Sequence, residues 1–209
     1  MASDTTTTEQ AGAELARGAL QDAGAARVAP IFATVTRLLL RAKPLTVAEI
    51  AATSGRTESD VTEALDALEP VERDDAGRVL GLGITLVPTP HHFRVDGREL
   101  YTWCALDTLM FPSLLGVRAE IESPCRSSGS PVRLTATAEG VSDVEPPSAV
   151  VSVVPIEHAP NIRTAFCDHV HFFRSAADAE AWLAEHPGGT VMPVAEGFAL
   201  GRGFAEEMR

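Results

Sequence analysis

No apolar run in this chain is long enough to cross a bilayer. The longest, from Ala149 to Ile156, falls far short of the roughly 20 residues a spanning helix needs. The opening residues MASDTTTTEQAG carry neither a basic stretch nor an apolar core, so no secretory signal is expected. Cysteine is scarce: Cys104, Cys125 and Cys167 are the three in the chain. An odd, widely spaced set is not a disulfide framework and fits working thiols in a reducing cytoplasm. Phosphate-cradling G-x-x-x-x-G-K, dinucleotide G-x-G-x-x-G, esterase G-x-S-x-G and redox C-x-x-C are all missing. Lysine is nearly absent, with Lys43 alone among 17 basic residues, a compositional bias with no chemistry attached. The net charge of -12 argues against nucleic acid or an anionic membrane as partner. There is no internal repeat and no regular βα alternation, so the expected class is α+β.

What is present suffices for a sizeable core. The 209 residues are 45% hydrophobic, enough for one large domain or two small ones. Residues 1–27, rich in Ala, Thr and Gly, are expected to form a disordered or weakly helical tail, with a marginal helix near Glu14 to Leu20. Val28, Ile31, Val35, Leu38 and Leu39 then follow helical spacing until Pro44. Thr46 to Glu49 reads as a capping box opening a helix through Ala52, and Thr57 to Asp60 opens another with Val61, Ala64, Leu65 and Leu68 on one face. A turn at Asp74-Asp75-Ala76-Gly77 and apolar alternation from Val79 to Val95 suggest a β-hairpin.

Three helices and a hairpin make a winged-helix-like module over residues 28–95. DNA binding is the tempting function, but the charges oppose it. Residues 31–100 hold eight basic and eleven acidic side chains. The segment 57–69, where a recognition helix would lie, carries Glu58, Asp60, Glu63, Asp66 and Glu69 and no basic residue. Phosphates would repel it.

Residues 96–209 read as a mixed second domain. Residues 99–110 look helical and stop before Pro112; Val117–Glu122 and Val132–Thr137 look like a strand pair about the turn Pro124–Pro131. Ala149–Val154 is β-rich, and Thr164–Phe173 reads as a further strand. Ser175 to Asp178 caps a helix with Ala179, Trp182 and Leu183 that stops at Pro187-Gly188-Gly189, and a strand and a helix close the chain.

Two segments could carry chemistry. LYTWCALDTLMF, residues 100–111, is apolar on nearly every side as a helix and should be buried. It would put Cys104 and Asp107 on one face, with Leu100 and Phe111 beside them. The pair is either a buried thiol beside a helix-margin carboxylate or a site; C-x-x-D alone favours the former. FCDHVHFF, residues 166–173, would as a strand put Cys167, His169 and His171 on one face, which leaves a zinc site or a buried strand open as readings. Cys125, in SPC with Gly129 following, resembles half a zinc knuckle without its second cysteine and reads as a structural thiol in a turn.

Taken together and in order, LYTWCALDTLMFPSLLG and, some 60 residues on, RTAFCDHVHFF resemble the organomercurial (alkylmercury) lyase family. The resemblance runs from about residue 28 to 205 and takes in SPCRSSGSPV and AEGFALGRGF. It implies Cys104, Asp107 and Cys167 as the catalytic trio and the mercury ligands. It implies a winged-helix-like part that does not bind DNA, packed on a catalytic domain of unusual fold. One departure is Asp168, where some relatives have a further cysteine. The implied reaction is protonolysis of a carbon–mercury bond in alkyl- or arylmercury compounds, with no cofactor and with mercuric ion held as product. Mercury is soft and prefers thiolates; a carboxylate can carry a thiol proton to carbon. Trp103, Leu106 and Phe111 would line an apolar pocket. Expected partners are the organomercurial, small cytosolic thiols and a mercuric reductase, with no nucleic acid and no membrane. The rival reading is a thiolate metal-transfer protein, which would have no need of Asp107.

Overall fold

The computed structural model describes residues 25–68, 70–155 and 161–208; of the tail expected over residues 1–27, residues 1–24 lie outside them and the last three already belong to the first helix. Helix α1 (Ala25–Leu39) buries Ile31, Val35, Leu38 and Leu39, the stripe its spacing predicts. Helices α2 (Val47–Ser54) and α3 (Glu58–Ala67) start where expected. Thr46 with Glu49, and Thr57 with Asp60, form reciprocal capping boxes that satisfy the first free amides of each helix. Val61, Ala64 and Leu65 face the core, and Leu68 packs at its margin. This is the expected helical module.

The strands after it form one antiparallel sheet of eight, in the order β1-β2-β3-β5-β4-β6-β7-β8. β1 (Glu72–Arg73) and β2 (Val79–Leu82) flank the Asp74–Gly77 turn, and β2 turns at Gly83 into β3 (Ile84–Thr85). The single hairpin expected over Val79 to Val95 is therefore divided. Gly83, at φ +75, reverses the chain, and Pro88 and Pro90 interrupt pairing. β4 (His91–Val95) pairs instead with β5 (Arg98–Thr102) and β6 (Ala119–Pro124). The sheet ends with β7 (Pro131–Ala136) and β8 (Val141–Glu145), β6 and β7 being the strand pair read about residues 124–131. The boundary placed at residues 95/96 falls in the β4–β5 turn, inside this continuous sheet.

The helix expected over residues 99–110 is corrected at both ends. Residues 98–102 are strand β5, and helix α4 runs Ala105–Leu115 straight through Pro112. Asp96-Gly97, both at positive φ, form a tight hairpin turn that commits the next residues to a strand. Burial then alternates, with Leu100 and Thr102 inward. α4 is buried along almost its whole length between the sheet and helix α7 (Val194–Glu207). That explains its apolar character on every side. Gly201 brings α7 so close that a Cβ there would lie 3.1 Å from the Met110 Cα.

A second sheet, β10-β9-β11, joins β9 (Val150–Val153), β10 (Phe172–Phe173) and β11 (Thr190–Pro193). Thr164–Phe173 is not the strand expected. A single helical turn, α5 (Ile162–Ala165), runs into it, a 3-10 turn over Cys167–His169 follows, and only its last two residues pair. Ser175 Oγ accepts the Asp178 N–H, but Asp178 lies in a short 3-10 turn (Ala177–Ala179), and α6 (Glu180–Glu185) follows it.

Phe111 ties the helical module to α4. Its ring stacks on Phe32 of α1 at 6.2 Å and sits against Gly83, where an added Cβ would fall 2.6 Å from it. Gly83→Ala combines a disfavoured backbone with overpacking and should cost roughly 2–4 kcal/mol. Gly97→Ala has the same sign of φ but nothing within 4 Å, and should cost about 1 kcal/mol. Urea midpoints of the two variants check the difference; equal losses would contradict the contact with Phe111.

Candidate active site

The end of β5 and the start of α4 set the first half of the site. Trp103 N–H donates to Gly83 O (2.9 Å), which fixes the strand end, and Thr102 Oγ1 donates to Cys104 O (2.9 Å). Cys104 is still extended, at φ -144 and ψ 172, and occupies the N-cap of α4. Its sulfur accepts the Asp107 N–H at 3.4 Å, and Asp107 Oδ2 accepts the Cys104 N–H at 3.2 Å. This is a capping box with cysteine in the serine position. The two residues thus meet because a cap folds one onto the other, not because they share a helical face. Leu100 is on the preceding strand and Phe111 lies in the core under α1, so neither flanks the pair.

The second half comes from the turn after α5. Asn161 caps α5 by accepting from Arg163 and Thr164, and Cys167 opens the 3-10 turn behind it. Val170 N–H closes that turn on Cys167 O (3.1 Å), while Val170 O accepts the Ala105 N–H (3.2 Å). This last bond joins the two cysteine segments directly. One ligand atom each from Cys104, Asp107 and Cys167 lies within 4.8 Å of the others. Cys104 is 0% and Cys167 6% exposed, and Asp107 is partly buried. Trp103 and Leu106 are buried beside them.

Burial is the leading influence on two of the three groups. It pushes the Cys104 thiol well above its ordinary value, helped by its hydrogen bond to Cys167 and the charge of Asp107. Burial also raises Asp107 to about 6, against hydrogen bonds from Cys104 and Trp103 and the charge of Arg163, which lower it. At Cys167 the hydrogen bond from Cys104 favours the thiolate, but burial and the charges of Asp107 and Asp168 outweigh it and raise the thiol. The result is two protonated thiols beside a carboxyl that gains and loses a proton near neutrality. Such a group is suited to general acid–base work.

The zinc reading of Cys167, His169 and His171 does not survive. The turn breaks the alternation that would have aligned them, and neither histidine belongs to the Cys104–Asp107–Cys167 group that could hold a metal. His169 Nδ1 instead meets His186 Nε2 at 3.2 Å. Asp168 is exposed.

Cys125 stands apart, buried in the β6–β7 turn with its sulfur 3.3 Å from Ser127 Oγ. Burial alone would raise this thiol; hydrogen bonds from Ser127 and Ser128 bring it instead to about 7. Cys125→Ser should keep most turnover and lower stability by about 1 kcal/mol. A loss as large as that of Cys104→Ser, with circular dichroism unchanged, would place Cys125 in the site. Sequence reasoning missed Arg163, whose guanidinium carbon lies 5.2 Å from the Trp103 ring centroid. It is the first residue of RTAFCDHVHFF, but nothing in that string pairs it with Trp103.

A model of the alkylmercury lyase family matches residues 84–206, the part that carries all three residues. The chain belongs to the alkylmercury lyase family. A second family model, the helix-turn-helix domain of alkylmercury lyase, matches residues 12–83. The alkylmercury lyase of Bacillus cereus is 49% identical over 172 residues, which is 82% of this chain and 79% of that one. That of Streptomyces lividans is 48% identical over 91% of this chain and 89% of its own, and that of Pseudomonas putida 43% identical over 86% and 85%. The fold is shared with a crystal structure described as the mercury-bound form of MerB2, at a TM-score of 0.77 and 23% identity over 97% of this chain and all of that one. An α+β fold with a helix-turn-helix module in front is thus what the alkylmercury lyases share with this chain, and the module's α3 is acidic, with Glu58, Asp60, Glu63 and Asp66.

Proposed function

We propose that this alkylmercury lyase cleaves the carbon–mercury bond with Cys104, Cys167 and Asp107. The observation that carries the reading is the buried convergence of two sulfurs and one carboxylate within 4.8 Å, in a part of the chain that matches the family. Two sulfurs suit a soft metal ion. The carboxylate supplies what binding alone does not require, a carrier for the proton that carbon must receive.

Cys167 takes the organomercurial first, exchanging its proton for the metal as the incoming thiol ligand leaves protonated. The capping box holds the Asp107 carboxyl against Cys104, within 4.8 Å of its sulfur, so the proton it relays is that of the Cys104 thiol. Asp107 accepts that proton as the Cys104 sulfur bonds to mercury. It then delivers the proton to carbon as the carbon–mercury bond breaks. Hydrocarbon departs, Asp107 is ionised again, and mercuric ion remains on both sulfurs. No electrons are exchanged, and no redox cofactor has a step to perform. Trp103 and Leu106 offer the apolar wall for a methyl or phenyl group. Small thiols or a mercuric reductase then collect the ion, which places the reaction in the cytoplasm. Among the described residues no helix is long and apolar enough to cross a membrane.

Incubation with phenylmercury and excess small thiol, followed by headspace analysis, tests the reading. Benzene should form in step with organomercurial lost. Stoichiometric mercury uptake without benzene would make the protein a metal carrier instead.

A further inference from the structure

Cys167 owes its position to contacts on both sides of it. Behind it, the Ala105 N–H···O Val170 bond ties its turn to the start of α4. Ahead of it is α5, a single turn that buries none of its own residues. What reaches from α5 toward the site is Arg163, four residues before Cys167, with its guanidinium over the ring of Trp103, the neighbour of Cys104.

Arg163 is itself held from a distant part of the chain. Its Nη1 pairs with one carboxylate oxygen of Glu72, and the other oxygen of Glu72 accepts a hydrogen bond from the fully buried Thr85. The side chain of Glu72 is 15% exposed, so this pair is shielded more than a surface ion pair. Glu72 lies on β1 opposite Gly81 of β2, and a Cβ on Gly81 would collide with the Glu72 carboxylate and with Thr85. The absence of a side chain at Gly81 is what lets Glu72 lie across the strands toward α5.

We propose that Glu72 is a positioning residue for the reaction: by holding Arg163 over Trp103, it sets the Cys167 segment against Cys104. The proposal rests on the assignment of Cys104, Asp107 and Cys167 above. It gives the helix-turn-helix part a task in catalysis, since β1 and β2 belong to that part. The first step, capture of the organomercurial by one thiol, does not need the two sulfurs in register. The second step does, because mercury must pass to the other sulfur as the proton reaches carbon. Misplacement of a reacting group by about 1 Å can cost ~10²-fold in rate.

The test uses the full chain and one equivalent of phenylmercury, with uptake and benzene release followed in a single turnover. Glu72→Gln should bind one equivalent as the wild type does, yet release benzene roughly 10–100-fold more slowly. Arg163→Gln should show a similar loss, and Arg163→Lys, which keeps charge without the planar stack, a smaller one. The double variant Glu72→Gln/Arg163→Gln should be no slower than the worse single variant, as expected for residues acting through one contact. A merely destabilised protein behaves otherwise: its active fraction and burst amplitude fall while the rate constant holds. Wild-type rate constants in folded Glu72→Gln, or additive losses in the double variant, would overturn the proposal. Should Glu72→Gln fail to fold, Arg163→Gln and Arg163→Lys give the same rate comparison. Absence of benzene from the wild type would instead defeat the assignment of the trio.

Discussion

Asp107→Asn should release hydrocarbon at least ~100-fold more slowly than the wild type while still binding one mercuric ion per chain. The amide keeps the cap, because its oxygen can still accept the Cys104 N–H. It cannot take the thiol proton and pass it to carbon. Acid–base assistance is typically worth about 10²–10⁴ in rate, and that is the expected loss. The same substitution should stabilise the fold at neutral pH. Asp107 has a folded pKa of about 6 against an ordinary 3.8, because burial disfavours its charge. A carboxyl raised in this way favours the native state in full below about pH 4. That contribution is lost as pH rises through about 6. Above that, the ionised group costs up to roughly 3 kcal/mol, which the neutral amide avoids. Urea denaturation of the two proteins should therefore diverge between about pH 4 and pH 7, with the variant the more stable at the upper end. Near wild-type release from folded Asp107→Asn would remove the proton-transfer role. Equal loss of binding and release would make Asp107 a structural cap.

Replacing either site cysteine should have a still larger effect. Cys167→Ser and Cys104→Ser each remove one of two soft ligands and leave a hydroxyl that binds mercury poorly. Hydrocarbon release should fall on the order of 10³-fold or more, as when a nucleophile is deleted from a group acting as a unit. Retention should fail too: excess small thiol should strip mercuric ion from either variant while the wild type resists for longer. Quenched-flow hydrocarbon release and dialysis against thiol measure the two properties. Unchanged mercury retention in Cys167→Ser would take that residue out of the ligand set.

The helical module was readable locally because its signals are local. Thr46 with Glu49 and Thr57 with Asp60 announce capped helices within four residues. The strand pair at residues 119–136 carries its alternation openly. The start of α4 was harder. Residues 99–110 have an apolar pattern that suits a helix, and the Asp96-Gly97 turn just before them carries the contrary signal. That turn is what commits residues 98–102 to β5. Cys104 and Asp107 were legible as a pair, although a helix face was the wrong reason for it. The motif marks Cys167, but FCDHVHFF alternates plausibly as a strand, and the sequence alone does not reveal the 3-10 turn that holds it. Arg163 opens the motif RTAFCDHVHFF, but its pairing with Glu72 was out of reach, since 91 residues separate the two and Glu72 sits in no motif. Only the folded sheet brings them together.

The most direct test of the trio combines two readings on one sample. Wild-type protein is mixed with one equivalent of phenylmercury, benzene is counted after a single turnover, and the protein is then examined by X-ray absorption at the mercury edge. One benzene per chain, with mercury bound to two sulfurs that are lost as ligands in Cys104→Ser and Cys167→Ser, is the expected result. Mercury on two protein sulfurs with no benzene released, or benzene released at the wild-type rate from both cysteine variants, would contradict it.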